Sequence, residues 1–149
     1  MAKQIIARNK KAFYNYEILD SVEAGLVLTG TEIKSIRLQQ IDISNAFVKA
    51  KDGELWLYNC HISPYKMGNI YNHDPDRDKK LLLNKKEIKE LTLELEKRSL
   101  TAVVLRVYIK NHVAKIEIGL ARGKRQYEKR QHIINREKDL EAQRSLRRQ

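Results

Sequence analysis

"TAVVLRVYIKNHVAKIEIGLA", Thr101 to Ala121, is the stretch that decides the fold. Val103, Leu105, Val107 and Ile109 alternate along its first half, and Ala114, Ile116, Ile118 and Leu120 along its second. A period of two puts each set on one side of an extended strand, so the stretch predicts a hairpin about Asn111-His112 with one buried face. A second hairpin is predicted where "ISNAFVKAK" and "ELWLYNCHI" meet across Asp52-Gly53, a dipeptide that accepts the positive φ values of a tight turn. Between the hairpins, Ser63 to Lys80 holds Pro64, Pro75 and many polar residues and reads as a surface loop. It leads into "NKKEIKELTLELEK", where Ile88, Leu91, Thr92 and Leu95 recur at helical spacing behind Asn84, with Glu87 completing a capping box.

Nearer the start, "YNYEIL" and "EAGLVLTG" read as two short strands separated by Asp20 and Ser21, and "TEIKSIRL" as a short helix with Thr31 as its N-cap. Six short strands are too few for a complete sandwich, and open sheet edges invite aggregation unless the sheet curls onto itself. The expectation is mainly β: a small OB-type closed barrel of about six strands with two or three helices and a basic C-terminal tail. The barrel should span residues 13–120, after a basic N-terminal arm at residues 1–12 and before a tail at residues 121–149.

The chain of 149 residues carries 30 Lys and Arg against 19 acidic side chains, a net charge of +11. Such a surface attracts polyanions. No apolar run approaches the roughly 18 to 20 residues of a spanning helix, and the start, "MAKQIIARNKKAF", lacks the roughly 7 to 15 apolar residues of a signal peptide. Nucleic acid is therefore the expected partner rather than a membrane. The single cysteine, Cys60, cannot form an internal disulfide and suits a reducing cytoplasm, where it reads as a buried apolar side chain.

Residues 121–149 hold 10 basic and 4 acidic side chains, more than half of the excess charge. Ile133, Ile134, Leu140 and Leu146 are the tail's large aliphatics, too thin a stripe to stabilise a helix in water. The tail should be disordered alone and helical on a polyanionic partner. Gly123 lets a backbone approach closely, Lys124, Arg125, Lys129 and Arg130 can meet phosphates, and Tyr127 and His132 offer faces for stacking.

Catalytic and metal chemistry find no support. Asp74, Asp76 and Asp78 copy three positions of a calcium loop, but Lys79 and Lys85 stand where its glycine and bidentate glutamate belong. His61, His73, His112 and His132 lack zinc-ligand spacing, and Cys60 and His61, as strand neighbours, point to opposite faces. No glycine-rich phosphate loop occurs. No catalytic residue, metal or cofactor is expected.

Five stretches taken together, "NKKAFYNYEI" (9–18), "EAGLVLTGTEIKSIR" (23–37), "DGELWLYNCHISPY" (52–65), "RDKKLLLNKKEI" (77–88) and "GLARGKRQYEKR" (119–130), resemble the SmpB family in the same order. The resemblance implies an OB-type barrel that holds the tRNA-like domain of transfer-messenger RNA, and a tail that enters the vacant decoding centre and message channel of stalled ribosomes. It implies that Asn9, Lys10, Glu23, Gly25, Glu32, Lys34 and Arg37, with Lys124 close by, form the RNA surface. The tail signature falls on Gly123, Lys124, Arg125, Tyr127, Glu128, Lys129 and Arg130, with Arg136 and Lys138 further along. Many relatives have Asp where this chain has Glu128. The implied partners are transfer-messenger RNA and the ribosome, the implied state a monomer. For Glu32, stabilisation of a helix N-terminus is an equal alternative, and for Lys34 and Arg37 simple exposed helix charge is the competing reading. The competing function is an OB-fold ribosomal or ribosome-assembly protein with a basic extension.

Overall fold

The computed structural model describes residues 3–68, 72–124 and 126–147. Its strands are β1 (Gln4–Arg8), β2 (Tyr16–Leu26), β3 (Ile41–Asp42), β4 (Phe47–Lys51), β5 (Glu54–Tyr58), β6 (His61–Ile62), β7 (Lys79–Leu82), β8 (Thr101–Lys110) and β9 (Val113–Gly123). Its helices are α1 (Lys10–Asn15), α2 (Gly30–Arg37), α3 (Lys85–Lys97) and α4 (Gln126–Arg147). Six strands close into a ring in the order β8-β4-β5-β7-β2-β9, and β9 pairs with β8 to complete it. Closure gives each of these strands a neighbour on both edges, which removes the exposed edge that an open sheet would leave. β3 and β6 form a separate two-stranded pair.

Both expected hairpins are present. Lys51 faces Glu54 across Asp52 and Gly53 with φ of 53° and 75°, and Lys110 faces Val113 across Asn111 and His112 with φ of 52° and 65°. Two consecutive positive φ values are what a two-residue turn needs to match the right-handed twist of its strands. α3 follows Asn84, whose side chain accepts from the Glu87 amide at 2.9 Å. Of its apolar stripe Leu91 is fully buried, while Ile88 and Leu95 pack at the margin of the core.

Several expectations are corrected. Residues 4–8, read as part of an arm, pair with β8 from Gln4↔Ile109 to Arg8↔Arg106. The two strands expected around Asp20 are one, β2, with a register shift between Ile18 and Asp20 that absorbs Leu19 as a bulge. The loop before α3 contributes β7, whose apolar residues are too few to announce a strand. "ELWLYNCHI" breaks at Asn59, at φ 57°, into β5 and β6. The last strand runs to Gly123, past the expected end at Leu120.

The faces of β8 also differ. A register shift between Val104 and Arg106 makes Leu105 a bulge, so the interior face carries Ala102 and Val104 before it and Val107 after it. Val103 and Leu105 instead point outward and pack with Ala12 and Ala121 under α1. One extra residue reverses the alternation, which is why a strict period of two assigned Val103 and Leu105 to the wrong side. On β9 the expected set is correct, with Ala114, Ile116, Ile118 and Leu120 all in the central core.

One edge of β8 is shared by two strands, with β1 along Arg106–Ile109 and β4 along Ala102–Val103. The carbonyls left between them are taken by Asn9. Its backbone N–H donates to Leu105 O at 2.8 Å, and its Nδ2 donates to Val104 O and Ile43 O at 2.9 Å each. Its Oδ1 accepts from the Ala12 amide at 3.0 Å, capping α1. Replacing it leaves buried carbonyls without donors and the helix without its cap, each worth about 1–2 kcal/mol. Asn9→Ala should therefore lower the unfolding free energy by about 2–4 kcal/mol in urea titration; an unchanged midpoint would contradict this account of the junction.

Candidate nucleic-acid interface

α2 is set by an internal lattice of charges rather than by apolar burial alone. Thr29, two residues before the expected cap at Thr31, is the N-cap: its Oγ1 accepts from the Glu32 amide at 3.4 Å while its N–H donates to Glu32 Oε1 at 2.8 Å. Thr31 instead bonds His73 Nδ1 at 2.9 Å, and His73 Nε2 donates to Ile62 O at 2.8 Å, which ties the long loop to the helix. Glu32 is 0% exposed. Arg77 grips both its oxygens, Nη2 to Oε1 at 2.6 Å and Nε to Oε2 at 3.3 Å, and the buried Lys79 lies 4.0 Å from Oε2. Lys79 also donates to Cys60 O at 3.0 Å and to Arg77 O at 2.5 Å.

Burial works against the Glu32 charge, yet the Arg77 hydrogen bond, the Thr29 amide and the two nearby cations hold its carboxyl below its ordinary value. A carboxylate this enclosed cannot touch RNA. Its part is to fix α2, and α2 in turn holds Lys34 and Arg37 outward at i, i+3 on an exposed face, with Lys34 Nζ 5.4 Å above the Tyr65 ring.

Glu23 sits on the outside of β2 and is part-exposed. Tyr108 Oη donates to its Oε2, Lys115 Nζ to its Oε1 at 3.0 Å, and Lys110 Nζ lies 4.0 Å away. The Tyr108 hydrogen bond, then that of Lys115, hold its carboxyl below the usual range. Burial, with Glu23 second, pushes the Tyr108 phenol up. Beside them Arg106 pairs with Glu117 at 2.5 Å and Arg122 with Glu17 at 2.6 Å. Gly25 faces Leu82 on β7, and a Cβ there would lie 3.3 Å from Leu82 Cβ, a tight approach that would press on the exposed Leu82 side chain.

Asn9, Lys10 and Lys124 lie at α1. Asn9, 3% exposed and with its hydrogen bonds made internally, is not a surface residue, because the junction on β8 claims it. Lys10 is exposed. Lys124 joins the tail to the ring: its N–H donates to Asn15 O and its Nζ to Phe13 O, both at 2.9 Å. Arg8 and Arg106 flank the Phe13 ring at 5.0 and 5.4 Å. Gly123 ends β9 in the open. Arg125 lies outside the described residues. Tyr127, Glu128 and Lys129 fall in α4, while Arg130, Arg136 and Lys138 on the same helix are exposed. Ile133, Ile134 and Leu140 are also exposed, between 42% and 44%, so α4 buries none of these large aliphatics.

The structure thus brings Lys34 and Arg37 together and moves Glu32 and Asn9 inside. Sequence reading missed Arg77, Lys79, Tyr108 and Lys115, because the carboxylates they meet, Glu32 and Glu23, are 45 to 92 residues away. Burial raises the Cys60 thiol to about 11, so it is inert at neutral pH. Among the described residues no group of His, Cys, Asp and Glu could hold a metal ion, and no helix is long and apolar enough to cross a membrane.

A family model described as SmpB protein matches residues 6–148. The chain is 53% identical over 142 residues to the SsrA-binding protein of Streptococcus mutans, covering 95% of this chain and 92% of that one. It is 48% identical over 145 residues to the SsrA-binding protein of Carboxydothermus hydrogenoformans, covering 97% of each. A solved structure described as "tmRNA-SmpB: a journey to the center of the bacterial ribosome" superposes with a TM-score of 0.68 at 44% identity, over 80% of this chain and 85% of that one.

Glu32→Gln should lower stability by about 2–3 kcal/mol, at or just below the roughly 3–5 kcal/mol of breaking a fully buried pair, because Arg77 is itself part-exposed. The folded carboxyls of Glu32 and Glu23 lie below their ordinary 4.5, so their contributions are complete above that pH and are lost as pH falls through the folded values. Acid unfolding should accordingly be steeper below about pH 4.5 in the native chain than in the Glu32→Gln variant, followed by circular dichroism. Parallel curves would remove Glu32 from the account.

Proposed function

The chain belongs to the SmpB family, and from that premise we propose that it is a non-catalytic RNA-binding adaptor of trans-translation. The ring holds the tRNA-like domain of transfer-messenger RNA and brings it to ribosomes stalled on truncated messages. The tail occupies the vacant decoding centre and message channel. The observation that carries this reading is the reach of the family match, residues 6–148, which takes in both the ring and the basic helix that leaves it. The work is that of a monomer in the cytoplasm.

The chemistry is consistent with that division. Folded RNA is read by shape, phosphate and 2′-OH contacts, for which fixed outward cations such as Lys34 and Arg37 are suited. Glu23, part-exposed and already ordering Lys115 and Lys110, can accept from a 2′-OH or hold those ammonium groups toward phosphate. Gly123, Arg125, Tyr127, Glu128, Lys129 and Arg130, with Arg136 and Lys138 beyond, form the ribosome-facing segment. α4 leaves Ile133, Ile134 and Leu140 exposed, too little apolar burial to hold a helix without an external surface.

Two variants separate the halves. A chain ended after Lys124, which keeps all of β9 and the ties to α1, should bind a tRNA-like RNA as the full chain does and fail to release stalled ribosomes in a reconstituted assay. Lys34→Gln with Arg37→Gln should weaken that RNA binding and reduce the log–log salt slope by about 1.4 to 1.8 in magnitude, at 0.7 to 0.9 per contact. Equal loss of both activities in the shortened chain, or unchanged RNA binding in the double variant, would defeat the division.

A peptide of residues 126–147 should show less than about one-third helix in buffer at 25 °C by circular dichroism, because no packed face supports it. Strong helicity in isolation would count against a partner-dependent tail.

A further inference from the structure

A different face of the ring carries aromatics and lysines in alternation. Phe47 and Tyr58 stand opposite each other on β4 and β5, Lys49 opposite Trp56, and Trp56 in turn opposite Lys80 on β7. Phe47 also faces Val103, one of the outward residues under α1, so this whole set lies on the outside of the ring. Phe47 and Tyr58 stack at 5.5 Å and 21°, and Lys49 Nζ lies 5.4 Å from the Phe47 ring. Phe47, Trp56 and Tyr58 each keep part of their surface exposed.

Next to Phe47 a cleft of about 270 Å³ opens between α1 and the β3–β4 turn. Lys11, Asn15, Tyr16 and Asn45 line it, and Lys11 Nζ is held to Asn45 Oδ1 at 2.8 Å. Amides beside aromatic rings suit the edge and face of a planar base. Lys11, Lys49, Lys51 and Lys80 surround the rings, and Glu54, paired with Lys80 at 3.7 Å, is the acid among the facing β4–β5 residues. Such a surface favours a chain with flat faces and a regular negative charge. It does not suit a duplex, whose bases are already stacked.

We propose that the outer face of β4, β5 and β7, with the adjoining cleft, is a second RNA site that takes unpaired nucleotides by stacking on Trp56, Tyr58 and Phe47 while the lysines meet the phosphates. It extends the adaptor reading and is separate from Lys34 and Arg37 on α2. Cross-strand aromatic pairs also stabilise hairpins, so the test reads base contact and not stability.

Trp56 is the single tryptophan of the chain, so its emission reports this face alone. A single-stranded oligouridylate of about ten nucleotides, within the span one small β module covers, should quench that emission as it binds. A blunt duplex RNA of equal charge should bind without quenching it. Trp56→Leu, which keeps an apolar side chain on the strand, should weaken binding of a fluorophore-labelled oligouridylate by about ten-fold in anisotropy titrations, with its melting midpoint recorded alongside.

Binding with unaltered Trp56 emission, or no binding of the oligomer, overturns the proposal; if Trp56→Leu does not fold, quenching in the native chain decides. Binding of a tRNA-like RNA, measured in parallel, keeps the adaptor reading distinguishable. That RNA can bind while the oligomer fails, which sinks only this second site, and loss of both sinks the adaptor reading as well.

Discussion

The ring closes only because β9 is hydrogen-bonded along both edges, to β2 on one side and β8 on the other. Each of those two neighbours carries a bulge, at Leu19 in β2 and at Leu105 in β8, and a bulge bends its strand and increases its twist. The second bulge turns Val103 and Leu105 outward, which creates the apolar seat for α1. Asn9 then satisfies the carbonyls the bulge leaves without a strand partner and caps α1 in the same stroke. The position of α1 fixes where the tail starts, since Lys124 is bonded to the carbonyls of Phe13 and Asn15.

Acidic residues in so basic a chain hold cations in position. Glu32 is enclosed and joins Arg77 and Lys79, from the far end of a long loop, to the first turn of α2. A buried charge pair of this sort contributes little net stability over apolar packing, but it is costly to break, and it selects one orientation. The consequence is geometric: α2 presents Lys34 and Arg37 from a fixed base. Glu23 does the same in a more open setting, where Tyr108 and two lysines converge on one carboxylate. Ordering cations before RNA arrives lowers the entropy lost on binding.

The ring and the tail follow opposite rules. In the ring, burial and paired edges decide the conformation. In α4 charge dominates, and the helix leaves Ile133, Ile134 and Leu140 in solvent. Membership of the SmpB family takes in both parts, since the family match runs over residues 6–148.

The sequence by itself determined the two hairpins, α3 with its Asn84 cap, the inward set on β9, the concentration of charge after the ring and the family. These are local patterns, set by neighbours within a few residues or by order along the chain. Only the tertiary structure decided that Glu32 and Asn9 lie inside, that residues 4–8 form a strand, that β7 exists and which side of β8 is buried. Bulges and long-range ion pairs settle those points: one inserted residue reverses a period-two pattern, and Glu32 finds Arg77 45 residues away through contacts that no window of sequence contains.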